Sequence, residues 1–275
     1  MLAPDAVVTS VGCDYITAYA EGAKPVVGLH ALASQLFRHE SEIGNKHSGF
    51  GLAGFKGFRC GEVEVGERGK EVLVRLHGQA AAHHWRRIFH LADNVSRFDV
   101  QVTVKVSTGV APTIDEIRKA AQLHATAHGD KPIVRWVRDH RGGYTLYLGA
   151  RTSNAFARVY AKFEKTPIEF FRDSVRFEVQ YQDRAALRVV QSLSAEPSPL
   201  PRMAGYVQRF MTDRGFSLVL PGIVEASIRC PRTQSDVDRN LRWLEAAVRP
   251  CVLRLIDAGK GKEVLTALGL VDDST

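Results

Sequence analysis

Cysteine is scarce in this chain, and none of it is placed for a cross-link or a metal. The four cysteines among 275 residues, Cys13, Cys60, Cys230 and Cys251, form no C-x-x-C pair, and no His/Cys cluster has zinc spacing. A disulfide framework and a zinc-ribbon class are therefore excluded, and buried, reduced thiols are expected. His124 and His128 stand four apart but lack the adjacent Glu of an H-E-x-x-H site, and the neighbouring His83 and His84 diverge on a helix. No apolar stretch reaches membrane-spanning length. Met1-Leu2-Ala3-Pro4-Asp5 has neither the basic region nor the apolar run of a secretory leader, so a cytoplasmic protein is expected. No Gly-Lys-Ser/Thr follows the glycine- and aromatic-rich residues 49–61, which read as bent hairpin strands rather than a phosphate loop. No internal repeat and no low-complexity tract is visible.

Acidic residues are outnumbered, for a net charge of +7 and an isoelectric point near 9.3. That balance points to a polyanionic partner. The excess is concentrated: residues 135–176 hold nine Lys/Arg against four Asp/Glu.

Three stretches put chemistry-bearing residues on one face of a strand. They are Arg97-Phe98-Asp99-Val100-Gln101, Arg158-Val159-Tyr160-Ala161-Lys162 and Arg176-Phe177-Glu178-Val179-Gln180. Successive strand side chains point to opposite faces. Arg97, Asp99 and Gln101 therefore share a face, as do Arg158, Tyr160 and Lys162, and Arg176, Glu178 and Gln180. In one sheet, they would gather two carboxylates, a tyrosine and several cations, an inventory that suits metal-assisted phosphoryl transfer with a tyrosine nucleophile. The plain alternative is a half-solvated sheet with a mixed polar face.

Strands are expected over residues 7–19, 71–76, 96–106, 133–137, 144–148 and 174–181, with a hairpin turn at 141–143. Helices are expected over 29–43, 79–92, 185–193 and 203–212. Another should follow the capping-box pattern Thr113-Ile114-Asp115-Glu116, and a long one, kinked at Pro250, should span 235–258. Three prolines within 195–201 mark an expected boundary between residues 1–195 and 196–275. The fold class expected is α+β: a mainly antiparallel sheet with helices on one face, then a helical tail.

Tyr147-Leu148-Gly149-Ala150-Arg151-Thr152-Ser153-Asn154, running on through Arg158-Val159-Tyr160-Ala161-Lys162, resembles the central motif of the Rep_trans family, Y-I-G-S-R-x-S-x-x-x-x-R-I-Y-D-K. These are rolling-circle replication initiators of plasmids, with relatives in filamentous phages and conjugative transposons. Arg176 to Gln180, closing on Arg184, resembles the R-x-E motif that follows. Val95-Ser96-Arg97-Phe98-Asp99 is similar to the family's T-R-I-D element, His77-Gly78-Gln79 to its S-G-Q turn, and Cys13-Asp14-Tyr15-Ile16-Thr17 to its opening strand. The family often carries a second Asp four residues after the first, where this chain has Thr103, and the H-x-H motif of other nickases is absent.

The resemblance implies a site-specific DNA nickase. Its tyrosine would attack a phosphodiester at an origin, single-stranded or in a hairpin, leaving a 5′-phosphotyrosine and a free 3′-hydroxyl. Tyr160 matches the nucleophile, with Arg158 and Lys162 beside it; Tyr147 and Tyr181 are the rival tyrosines. A free tyrosine titrates at about 10, so nearby cations are expected to favour its phenolate. Asp99 and Glu178 suit Mg²⁺ or Mn²⁺, and Arg151, Ser153, Arg172 and Arg176 are the expected DNA contacts. A homodimer and a host helicase partner are also implied. The alternatives are a non-catalytic DNA-binding regulator on the same fold, favoured by Thr103, and a general single-strand or RNA binder using the aromatics near Phe50 to Phe58.

Overall fold

The alternating stretches of the chain pair with one another. The computed structural model describes residues 6–52, 54–128, 134–138, 144–220, 223, 226, 249–261 and 263. Its strands are β1 (Val7–Glu21), β2 (His47–Leu52), β3 (Phe55–Cys60), β4 (Val63–Arg68), β5 (Glu71–His77), β6 (Asn94–Lys105), β7 (Val134–Arg138), β8 (Tyr144–Leu148), β9 (Ala155–Ala161) and β10 (Ser174–Gln182). They form one antiparallel sheet in the order β2-β3-β4-β5-β1-β6-β10-β9-β8-β7. The helices are α1 (Ala23–Glu42), α2 (Gly78–Leu91), α3 (Val110–Ala127), the single turn α4 (Lys162–Lys165), α5 (Asp183–Ser194), α6 (Leu200–Thr212) and α7 (Arg249–Asp257), with a 3-10 turn at Glu169–Phe171.

One face of the sheet is apolar because every second residue of its strands is. Phe98, Val100, Val102 and Val104 of β6 and Val175, Phe177 and Val179 of β10 are fully buried. Trp85 of α2 meets Phe98 edge-on at 5.6 Å, and Tyr206 of α6 meets Tyr181 at 6.1 Å. Helix α5 adds Ala186, Val189, Val190 and Leu193, and α1 lays Leu29, Leu32 and Leu36 over β4 and β5. This is the α+β fold that the sequence pattern predicts, with helices on one face.

The element order repeats although the sequence shows no repeat. Strand, helix, four strands and helix run from β1 to α2, and again from β6 to α5 with α4 and the 3-10 turn inserted. The sheet order mirrors about the central β1–β6 pair: β5, β4, β3, β2 lead away on one side and β10, β9, β8, β7 on the other. Gly78 and Asp183, which open the matching helices α2 and α5, share φ +49°. The glycine-rich stretch is hairpin backbone, as expected. Gly57 and Gly66 face each other across β3 and β4, and a Cβ on Gly57 would come within 1.9 Å of the Val65 carbonyl oxygen.

Four expectations change. Strand β4 was not predicted; its six residues include Gly66, Glu67 and Arg68, which break the apolar alternation. Helix α3 begins at Val110, not after Thr113, and the capping box is unused: the Thr113 hydroxyl donates back to the Gly109 carbonyl at 2.7 Å. Strand β9 ends at Ala161, and Lys162 opens α4 instead of continuing the Tyr160 face. The chain divides into compact units Met1–Ile228 and Arg229–Thr275, so the expected boundary after residue 195 falls inside the first unit, where α6 buries Met203, Tyr206, Val207 and Met211. In the second unit the expected helix 235–258 is described from Arg249 onward. The turn at 141–143 lies outside the described residues. Cys13 and Cys60 are buried and free, and no described helix is long and apolar enough to cross a membrane.

Candidate active site

The three polar-faced stretches are neighbours, β6-β10-β9. Register sets Glu178 of β10 beside Gln101 on one side and Arg158 on the other, and Arg176 between Thr103 and Tyr160. Their shared face is buried: Asp99 and Thr103 are 0% exposed, Glu178 2% and Arg176 6%. That rules against the half-solvated sheet.

Buried charge requires partners, and these acids have them. Arg97 holds Asp99 with two bonds, Nε to Oδ1 at 2.9 Å and Nη2 to Oδ2 at 2.5 Å. Arg158 Nη2 donates to Asp99 Oδ2 at 3.0 Å and also to Glu178 Oε1, so one guanidinium bridges both carboxylates. The Tyr160 hydroxyl donates to Glu178 Oε2 at 3.2 Å. Arg176 donates from Nη1 to Asp14 Oδ1 at 3.1 Å and from Nε to the Thr103 hydroxyl at 3.0 Å. Thr103, where the family pattern has an acid, serves as a neutral acceptor for that arginine and donates to Gln101 Oε1 at 3.1 Å.

A cleft of about 480 Å³ opens over this cluster, and Tyr160, Tyr147, Arg158 and Glu178 line it with Asp14, Tyr15, His77 and Lys165. The last four were missed as site residues. The signal for Asp14 and Tyr15 was the opening-strand motif, but only a bulge shows how both arrive. The β1–β6 register shifts between Cys13 and Tyr15, which turns two successive residues towards the cleft. Arg97 lies over the Tyr15 ring at 3.7 Å, and His77 meets that ring edge-on at 4.6 Å.

Burial raises the Glu178 carboxyl to about 7; Arg158 opposes this, while Asp99 and Asp14 add to it. Burial, then the Glu178 charge, pushes the Tyr160 hydroxyl well above the ordinary phenol range, against the pull of Arg176 and Arg158. The expected cation-stabilised phenolate is thus reversed at rest: Tyr160 is a neutral hydrogen-bond donor. The Lys162 ammonium is pulled below its usual range by burial and by Arg176, and its Nζ lies 5.3 Å over the Phe171 ring.

The remaining predicted residues are spread out. Arg151 is exposed, over the Tyr147 ring at 4.7 Å. The Ser153 hydroxyl is engaged inside its own turn, donating to the carbonyls of Ala150 and Ala155, each at 2.6 Å. Arg172 is exposed and paired with Glu169. Tyr181 lies on the helix-covered face, its hydroxyl 3.4 Å from the Tyr206 carbonyl, and so is remote from the cleft; Tyr147 is the rival tyrosine that lines it.

Asp99 and Glu178 do not fit a divalent ion as their side chains stand. The guanidinium of Arg158 fills the bridging position between them, and among the described residues no group of three His, Cys, Asp or Glu side chains could hold a metal.

No family model and no curated protein matches this chain. Among solved structures, it is similar to the rolling-circle replication initiator protein from Geobacillus stearothermophilus. The TM-score is 0.52 and the identity 19%, over 73% of this chain and 84% of that one. At that identity the likeness is one of fold.

Proposed function

We propose that the chain is a DNA strand-nicking and rejoining enzyme that initiates rolling-circle replication, with Tyr160 as nucleophile, as in the Rep_trans family its motifs resemble. One observation carries the reading: in a polar cleft, the Tyr160 hydroxyl donates to a buried Glu178 that titrates near neutrality. A phenol is a poor nucleophile until its proton can leave, and a carboxylate poised at about 7 within hydrogen-bond reach is suited to take it. The fold shared with a rolling-circle initiator supports the same reading.

In the proposed step Tyr160 Oη attacks the phosphorus while its proton passes to Glu178 Oε2. The P–O3′ bond breaks, the 3′-oxygen leaves and takes a proton from solvent, and the 5′-phosphate stays on Tyr160. Arg158 and Arg176 offset charge developing on the phosphate oxygens. Rejoining is the reverse, a 3′-hydroxyl displacing Tyr160 with no external energy source. Mg²⁺ or Mn²⁺ remains part of the family expectation, but an ion on Asp99 and Glu178 would first have to displace Arg158, and no part of this step uses it.

A non-catalytic DNA-binding regulator is the second reading. The observation that favours it is an acid pair already neutralised by arginines, with Thr103 at the position of a further acid. The test is adduct trapping. Wild-type protein incubated with a pool of single-stranded oligonucleotides should yield a denaturation-resistant adduct that mass spectrometry maps to Tyr160. Tyr160→Phe should abolish it, and Tyr147→Phe and Tyr181→Phe should retain it. An adduct on another residue overturns the assignment; no adduct with any DNA or metal supports the regulator.

A further inference from the structure

The two halves of the sheet differ most in the connection between the strands that flank the site. In the first half, β4 and β5 are joined by a two-residue turn, Gly69 and Lys70. In the second half, β9 and β10 are joined by residues 162–173, which form α4 and the 3-10 turn. This insertion begins two residues after Tyr160 and ends three before Arg176, the pair that face each other in register. Lys165 of the insertion also lines the cleft.

The segment is built, not slack. Its backbone closes on itself through Thr166 N–H to the Lys162 carbonyl at 3.0 Å, Ile168 N–H to Thr166 at 2.7 Å, Phe171 N–H to Ile168 at 2.8 Å and Arg172 N–H to Glu169 at 2.9 Å. Its far end is tied to the sheet, the Val106 N–H donating to the Asp173 carbonyl at 2.9 Å. Held this way, it presents apolar side chains to solvent: Phe170 is 57% exposed and Ile168 53%. The Phe170 ring packs edge-on against Phe171 at 5.3 Å, and Lys162 covers Phe171. The Arg172 guanidinium, oriented by Glu169, lies 5.2 Å over Phe163. An exposed ring, Phe170, backed by the half-buried Phe163 and Phe171 and interleaved with cations, matches the chemistry of unpaired nucleic-acid strands: bases stack on the ring while the cations contact phosphates. A duplex offers no free base face, so it would gain only the electrostatic part.

We propose that residues 162–173 form a base-stacking platform for single-stranded DNA, with Phe170 as its central ring, holding the nucleotide next to the phosphate at the cleft. This rests on the nicking reading only for which phosphate is the neighbour. Continuity with the cleft through Lys165 and the exposed Phe170 ring argue for this occupant over a protein; Glu164, Glu169 and Asp173 balance the segment's three cations, so stacking and not net charge carries the preference.

Full-length wild type, Phe170→Ala and Phe170→Trp are titrated by fluorescence anisotropy against a labelled mixed-sequence 20-mer, single-stranded and as duplex. Phe170→Ala should weaken single-strand binding roughly 5- to 100-fold, the loss of one base–aromatic stack, with duplex binding changed less than about twofold because its electrostatic part is kept. Phe170→Trp should restore single-strand affinity, and its added indole emission over wild type should be quenched by that strand. Unchanged single-strand affinity, equal loss for both DNAs, or an unquenched indole overturns the proposal. So does a Phe170→Ala protein whose sedimentation shows a dimer lost, which would make this face a protein interface. Binding is measured without cleavage, so it stands or falls separately from the Tyr160 adduct.

Discussion

Gly66 in β4 and Arg158 in β9 occupy matching places in the two halves of the sheet, and so do Leu73 and Glu178, Thr17 and Asp99, and Arg68 and Tyr160. The register supports each match: Gly66 pairs with Leu73 as Arg158 pairs with Glu178, and Thr17 pairs with Arg75 as Asp99 pairs with Gln180. The backbones serve the same architecture, yet the first half has an aromatic ring where the second has a charge cluster. The Phe50 ring packs over Gly66, within 2.9 Å of where a Cβ would stand, and Leu73 is 5% exposed. The first half is not without charge: Arg59 and Arg75 clamp the fully buried Glu64. That carboxylate is saturated, and its pKa lies below the ordinary value: burial works against the charge, but bonds from Arg75 and Arg59 outweigh it. Glu178 goes the other way first because burial weighs more heavily on it, and then because it shares Arg158 with Asp99, while Asp99 and Asp14 add to the rise. A buried acid with its own arginines is a fixed anion; one that shares an arginine with other acids can take up a proton.

The largest effect should come from removing that shared acid. Glu178→Gln keeps an acceptor for Tyr160 but cannot take its proton, so single-turnover nicking should fall about 10²–10⁴-fold. Wild-type nicking should rise with pH through about 7, as the raised carboxyl loses its proton, and then level off; the Gln variant should lack that rise. An unchanged profile would remove Glu178 from the proton path. At the matching place, Leu73→Ala should cost about 2–5 kcal/mol in denaturant unfolding, while nicking per folded molecule stays the same. A specific loss of nicking there would mean that the halves divide the chemistry differently. The smallest effect concerns the bridge. Arg158→Gln vacates the cation position between Asp99 and Glu178, so calorimetric Mn²⁺ binding should tighten about tenfold, or about 1.4 kcal/mol. Equal Mn²⁺ affinity in both proteins would show that Arg158 and the ion do not compete.

Parts of the site were legible in the linear pattern because a strand alternates with period two. Asp99, Arg158, Tyr160, Arg176 and Glu178 were each assigned to a polar face, and they share one. The same period separates Tyr181 from Glu178 by an odd number of residues and so already set that rival tyrosine on the opposite face. Lys162 shows the limit of the rule: alternation placed it beside Tyr160, but the strand ends at Ala161 and the next residue opens a helical turn. Thr113 shows another, since a capping-box pattern also fits a threonine that bonds back to a carbonyl inside the first turn.

Alternation and composition by themselves determined the α+β class, the apolar face and the residue types available for chemistry, because these follow from local spacing. Only the tertiary structure decided the rest. It set β10 between β6 and β9, folded one element order twice without a visible sequence repeat, and used a bulge at Asp14 to bring two neighbouring side chains into one cleft. It also put Arg158 between two acids. These outcomes depend on which distant strands pair and in what register, and on how buried charges share their partners, and neither is a property of any segment alone.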